Sequence, residues 1–331
     1  MIKIGVLGAG HLGKIHIRLL KEIADFQLMG FYDPDPEKAD SVSNEFGIKA
    51  YSSISELIDD VDAVDIVTPT LNHYACAVQA IEKGKHFFVE KPLTNTVAEA
   101  TELVKLVKES GLKAQVGHVE RFNPAFIAAQ QAAELKPMFI EAHRLSEFKP
   151  RGTDVSVILD LMIHDIDIVL SMVDADITFI SASGVPVISD TVDIANARIE
   201  FANGCVANLT SSRVSMKIER KMRIFQKNAY ITLDFNKKET VILNIRNLKD
   251  GEDTESFLVL DPGDGKPRKE LTFVTPKMPE INAIKYELEL FARSIIDDTK
   301  PAVDINDGFR SLKVAHQILE KIDSLLENAV I

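Results

Sequence analysis

The 331-residue chain has two cysteines, Cys76 and Cys205, and no tryptophan. Two thiols cannot build the disulfide framework of a small secreted scaffold, so a reduced, cytoplasmic protein is expected. The missing tryptophan excludes nothing. No stretch approaches the roughly 18 uninterrupted apolar residues of a membrane span, and the start of the chain has no basic segment leading into a long apolar run. No membrane role is therefore expected. Clustered positive charge is absent too. Lys and Arg number 38 against 50 Asp and Glu, a net charge of −12, and no basic patch stands out to neutralise a nucleic-acid backbone. A small anionic ligand stays compatible, because a few Arg and Lys in a cleft bind one phosphate group whatever the total charge. Internal repeats and low-complexity segments are lacking. What is present is a chain with 46% hydrophobic residues, long enough for two domains that each bury a core.

The opening segment MIKIGVLGAGHLG runs a short strand into Gly8, Gly10 and Gly13. In a dinucleotide-binding turn the first glycine allows the tight bend, the second lets the backbone approach a pyrophosphate, and the third lets helix pack on strand. The pyrophosphate then rests on a helix N-terminus, here at His11 and Leu12, where unpaired N–H groups and the macrodipole favour negative charge. Helical spacing follows at Leu12, Ile15, His16 and Leu19, and a second apolar run, 26 to 32, ends at Asp33. That spacing suits a carboxylate that accepts from a ribose 2′-hydroxyl; Asp33 also begins the turn DPDPEKA. Asp33 repels a 2′-phosphate, and Pro34 and Asp35 offer no cation, so NAD is expected over NADP.

Through residue 120, short apolar runs alternate with amphipathic stretches, the pattern of a parallel sheet flanked by helices. Strands are expected near 2–7, 26–32, 63–67, 86–90 and 113–117, and helices near 11–23, 34–46, 53–59, 72–83 and 95–110. Gly8, Asp33, Thr68 and Glu90 then share the carboxyl end of the sheet. From about residue 136 longer alternating runs (138–148, 177–188, 193–202, 204–213, 221–226, 229–235) predict a mostly antiparallel sheet with a hairpin at Asn203-Gly204. One helix is expected at 156–172, a turn-rich, mobile excursion at 246–270, and two closing helices at 280–296 and 306–327. The expected architecture is α/β: a Rossmann NAD-binding domain over 1–120, then an α+β domain over 121–331 whose last helices can pack back on the first.

Glu90, Lys91 and Pro92 leave the fourth strand on the cofactor side. A lysine there is a candidate proton donor, and a solvated loop lysine is the alternative. Pro92 fixes the backbone and raises the prospect of a cis bond. Asp160 and His164, four apart on a helix, can share a face, so the carboxylate can orient the imidazole as an acid or base. A hydrogen-bonded core histidine is the alternative.

The glycine turn at 8–13, Glu90-Lys91-Pro92 and Asp160 with His164, ahead of an antiparallel second domain, resemble in this order the Gfo/Idh/MocA family of glucose-fructose oxidoreductases and inositol dehydrogenases, over nearly the whole chain. The resemblance implies that Lys91 and His164 flank the reacting hydroxyl with Asp160 in support. It also implies that Glu90 and the segment Thr68, Pro69, Thr70, Leu71, Asn72 and His73 line the nicotinamide side. GHVERFNPA at 117–125 and the stretch 150–170 look like the branch that oxidises the 3-hydroxyl of UDP-N-acetylglucosamine. His118, Arg121, Asn123, Arg144 and Arg151 then offer donors to diphosphate or acetamido oxygens; for the arginines, ion pairs are the alternative. Arg-Phe-Asn-Pro at 121–124 departs from the family's commoner paired arginines, which tells against simple sugars. The activity expected is NAD-dependent oxidation of a secondary sugar hydroxyl, without a metal. A cyclitol, free sugar or tetrapyrrole is the rival substrate, and a non-catalytic NAD-binding sensor the rival class; the joint presence of Lys91, Asp160 and His164 speaks against the sensor. A homodimer or homotetramer through the second domain's sheet is expected.

Overall fold

The computed structural model describes residues 1–149, 155–249, 251–254, 256 and 258–328. The chain divides into two compact units, one of Met1–Phe122 with Ile281–His316, the other of Asn123–Glu280 with Gln317–Ile331. The first opens with β1 (Ile2–Leu7), α1 (His11–Leu20), β2 (Phe26–Tyr32), α2 (Pro36–Phe46), α3 (Ile54–Asp59), β3 (Ala63–Ile66), α4 (His73–Glu82), β4 (His86–Glu90), α5 (Val97–Ser110) and β5 (Ala114–Gly117). The second holds α6 (Pro124–Ala132), β6 (Phe139–Leu145), α7 (Ile163–Met172), β7 (Ile177–Val185), β8 (Ile194–Phe201), β9 (Val206–Ser212), β10 (Glu219–Gln226), β11 (Ala229–Asp234), β12 (Glu239–Asn247), β13 (Val259–Leu260) and β14 (Lys269–Val274). Then come α8 (Ala283–Ile296) and α9 (Ile305–Asn328). Among the described residues no helix is long and apolar enough to cross a membrane.

In the first unit five strands pair in parallel in the order β2-β1-β3-β4-β5. Strands buried on both faces read as almost continuous apolar runs, which is why AVDI is buried at every position. The order reverses between β1 and β3, and ligands of such sheets bind beyond the carboxyl ends at that point. Local chemistry sets the helix ends. Asp35 accepts from the N–H groups of Glu37 and Lys38, Pro36 takes the first helical position, and Gly47 closes α2 at φ 62°. Helix α8 covers the sheet: Phe291 meets Phe26 and Phe88 at 6.2 and 6.1 Å between ring centroids, and Leu288 joins Ile4, Val6 and Phe31 in the core. Each such side chain contributes about 1.5–3 kcal/mol by burial.

The second unit is a nine-stranded sheet, β13-β14-β12-β11-β10-β6-β9-β8-β7, antiparallel except for β6 beside β9. Alternation is visible in β6, where Ile140, Ala142 and Arg144 point inward. The Asn203-Gly204 hairpin forms, with Gly204 at φ 84° and the Phe201 N–H donating to Cys205 O. Three expectations are revised. Residues 158–162 form a π-helical turn that feeds α7, so 156–172 is not one regular α-helix. Helix α6 adds an element at 124–132. The stretch 246–270 supplies the end of β12, all of β13 and the start of β14, whose pairing satisfies backbone groups an unstructured excursion would leave to water. The turn-rich character expected there holds at Gly251, Gly263, Asp264 and Gly265, all at positive φ.

Candidate active site

The glycine turn tests directly whether a dinucleotide fits. Gly8 has φ 99°, and a Cβ there would stand 2.7 Å from Val67 O. At Gly13 a Cβ would stand 2.1 Å from Gly8 O, so only glycine lets α1 sit this close to β1. Gly10 caps α1, and a Cβ on it would meet nothing within 4 Å, leaving the open approach that a pyrophosphate needs. His11 is exposed at the start of α1 and Leu12 is half-buried. Asp33, buried just past β2, accepts from Ala9 N–H at 2.8 Å through one oxygen and from Asp35 N–H at 3.1 Å through the other. It thus braces the glycine turn while beginning the next one. Sequence reasoning placed no cation here; the structure revises this, because one turn of α2 carries Lys38 Nζ to 3.3 Å from Asp33 Oδ1.

Thr68, Pro69, Thr70, Leu71 and Asn72 follow β3, with Pro69, Leu71 and Asn72 exposed. His73 is 1% exposed and acts as a strap: Nδ1 lies 2.8 Å from Pro92 O and Nε2 2.9 Å from Thr68 O. Burial pushes its pKa below the ordinary value, against the pull of the two carbonyl oxygens. Both ring nitrogens are turned to backbone carbonyls, to one of which a neutral ring donates, so His73 bridges the loops after β3 and β4 and is corrected from a cofactor-contacting residue to a structural one. Lys91 is half-buried, the Lys91-Pro92 bond is cis, and Lys91 N–H donates to Glu90 Oε2 at 3.2 Å.

Beneath this turn lies a cluster that sequence reasoning missed. His16, on the buried face of α1, sets Nδ1 2.9 Å from Asp65 Oδ2 and Nε2 3.4 Å from Glu90 Oε1. Burial opposes charge on the ring, but Asp65 and then Glu90 outweigh it and hold the imidazolium well above its ordinary pKa. Burial raises the Asp65 carboxyl, with His16 drawing it back. Glu287 on α8, fully buried, is raised well above the carboxylate range by burial and by the charges of Glu90 and Asp65. The available signal was an aspartate inside an otherwise apolar strand.

In the second unit, half-buried Asp160 sits in the π-helical turn and lines a cavity of about 290 Å³ with Lys149, Arg213 and Arg220. Arg213 is anchored by Val155 O and by Asp193, 3.5 Å away. These three cations were not singled out from sequence, because 64 residues and three strands separate Lys149 from Arg213. His164 is half-buried on the first turn of α7. Two proposed substrate donors are corrected. Arg144 is 2% exposed and forms a two-pronged pair with Asp165, at 2.9 and 2.8 Å, because it points to the inner face of β6. Asn123 caps α6, accepting from Ala125 N–H and donating to Phe235 O. In the first unit His118 is buried, and Arg121 Nη1 lies 3.6 Å from Asp307. Arg151 lies outside the described residues.

A parallel sheet with this glycine turn and a buried carboxylate after its second strand defines a dinucleotide-binding fold. The chain belongs to the Gfo/Idh/MocA family: residues 2–118 match the oxidoreductase family's NAD-binding Rossmann fold and residues 135–232 the GFO/IDH/MocA C-terminal domain. It is 42% identical over 234 residues to a UDP-N-acetylglucosamine 3-dehydrogenase of Acidithiobacillus ferrooxidans, covering 71% of this chain and 74% of that one. The solved structure of UDP-N-acetylglucosamine 3-dehydrogenase GnnA from that organism aligns with TM-score 0.86 and 34% identity over 98% of this chain and 99% of that one. A scyllo-inositol 2-dehydrogenase (NAD(+)) of Bacillus subtilis is 34% identical over 233 residues, 65% of this chain and 68% of that one.

Proposed function

We propose that the protein oxidises a secondary hydroxyl of a nucleotide sugar, the 3-hydroxyl of a UDP-N-acetylglucosamine-type substrate. The observation that carries this reading is the end-to-end likeness to an enzyme of that name. Gly8, Gly10, Gly13 and Asp33 would hold NAD, which when bound supplies the hydride acceptor. Either Lys91 or His164 takes the hydroxyl proton. A Lys91 ammonium stabilises the developing alkoxide, and Asp160 orients His164. Lys149, Arg213 and Arg220 suit the anionic part of such a substrate. The buried, free thiols of Cys76 and Cys205 accord with a cytoplasmic setting.

Incubation with NAD or NADP and a panel of UDP-sugars, free sugars and inositols, followed at the reduced-nicotinamide absorbance with product identification, tests the assignment. UDP-N-acetylglucosamine with NAD gives the highest kcat/KM, and NADP is at least about tenfold poorer because Asp33 remains beside the ribose position. Turnover of inositols alone overturns the substrate, and binding without any reduction favours a sensor.

The protein is further proposed to assemble as a homodimer or homotetramer through its nine-stranded sheet. Phe139, Phe225, Tyr230, Leu243 and Phe273 stand directly opposite one another across five strands on the outward face. Phe225 and Phe273 are 38% and 66% exposed, an apolar row that a second copy would cover. Multi-angle light scattering gives at least twice the 36.7 kDa chain mass; a monomer at micromolar concentration refutes the proposal.

A further inference from the structure

The buried cluster under the Lys91 turn has no part in the chemistry described so far, and it costs free energy to keep. Asp65, Glu90 and Glu287 are carboxyl groups inside an apolar core with Phe88, whose ring centroid is 5.8 Å from that of His16. Such a group persists when its charge and hydrogen bonds are satisfied by a fixed partner. His16 is that partner for two of the three, and each ring nitrogen faces a different carboxylate. The ring is hydrogen-bonded to Asp65 through Nδ1 and stands within ion-pair distance of Glu90 through Nε2, so it links β3 to the last residue of β4.

We propose that His16 is a positioning residue for the Glu90-Lys91-Pro92 turn: anchored on Asp65, its imidazole holds the Glu90 carboxylate, which in turn accepts the backbone N–H of Lys91. The linkage starts on α1, whose first turn lies at the glycine loop, so one rigid helix carries both the dinucleotide end and the group that locates Lys91. Space on the far side is closed. A Cβ on Gly117 would lie 2.8 Å from Glu90 Oε1, so the neighbouring strand end must be glycine for the carboxylate to keep this place. The ionisable groups facing His16 are Asp65 from β3 and Glu90 from β4; Glu287 from α8 completes the cluster, its carboxyl pushed well above the usual carboxylate range by burial. The proposal rests on the assignment of Lys91 to the reacting hydroxyl.

The test compares the purified full-length His16→Gln, Glu90→Gln, double and Lys91→Ala variants for NAD dissociation constant, kcat and the pH dependence of kcat. A carboxamide at position 16 can serve Asp65 or Glu90 and not both. His16→Gln lowers kcat by about tenfold or more through misplacement of Lys91, while the NAD dissociation constant moves by less than about threefold. The pH profile shifts as well, because a buried cation has left the turn. Glu90→Gln, which keeps the His16–Asp65 pair, gives a similar loss, and the double variant loses no more than the worse single one, as expected of two steps in one linkage. Unchanged kcat and pH profile in His16→Gln, or multiplicative losses in the double variant, overturn the proposal. Should His16→Gln not fold, Glu90→Gln decides alone by the same two readouts. An active Lys91→Ala overturns the assignment of Lys91 itself, whereas an inactive Lys91→Ala beside a fully active His16→Gln overturns the positioning role only.

Discussion

Lys91→Ala lowers turnover by at least about 100-fold and leaves NAD affinity nearly intact. The residue leaves β4 at the carboxyl end of the parallel sheet, where ligands of this fold bind, and its backbone is tied to Glu90. Alanine removes the only ammonium of that turn and none of the groups that fit the pyrophosphate and ribose, which sit at Gly8 to Gly13 and Asp33. The loss therefore falls on kcat. A measured NAD dissociation constant that rises in step with the loss of kcat would assign Lys91 to cofactor binding, and retained turnover would remove it from the reaction. Lys91→Arg separates charge from shape. The guanidinium keeps the charge but cannot take up a proton, so activity stays low if Lys91 is the base and returns in part if it acts only as a cation.

The legible parts of this molecule are those whose signals are local. Gly8, Gly10 and Gly13 declare themselves because their tasks are backbone tasks, and the structure shows what a Cβ would meet at each. Asp33 was placed by its distance from the glycines, and the Asn203-Gly204 hairpin by two residues that tolerate positive φ. What escaped depends on groups distant in sequence. His16 looked like one more position on the apolar face of α1, and only the approach of Asp65 and Glu90, 49 and 74 residues further on, gives it a partner. Helix α6 is hard to see because its apolar residues occupy most of its circumference: Pro124, Ala125, Phe126, Ala128 and Ala129 are all buried, so no polar face marks the helical period. Its start is set by Asn123, which accepts from Ala125 N–H, with Pro124 in the first helical position. The π-helical turn at 158–162 has no such local marker.

Arg144 carries the second large effect, and it separates a structural arginine from a substrate-binding one. Its guanidinium and the Asp165 carboxylate are each almost fully buried, meet through two hydrogen bonds, and lie near the Phe235 ring. Removing one member leaves the other charge without its partner in an apolar interior, which costs about 3–5 kcal/mol; replacing both with apolar residues of similar volume costs far less, because the desolvation of both ions is relieved together. Arg144→Met and Asp165→Leu should each lower stability by about that amount in denaturant titrations, and the double variant should be more stable than either single one. That sign pattern is a coupling between the two sites, since independent sites give losses that add. A substrate-binding arginine predicts something else: near-normal stability in Arg144→Met with a raised KM for the UDP-sugar. Additive stability losses, or a folded Arg144→Met whose only defect is in KM, would return Arg144 to the substrate site.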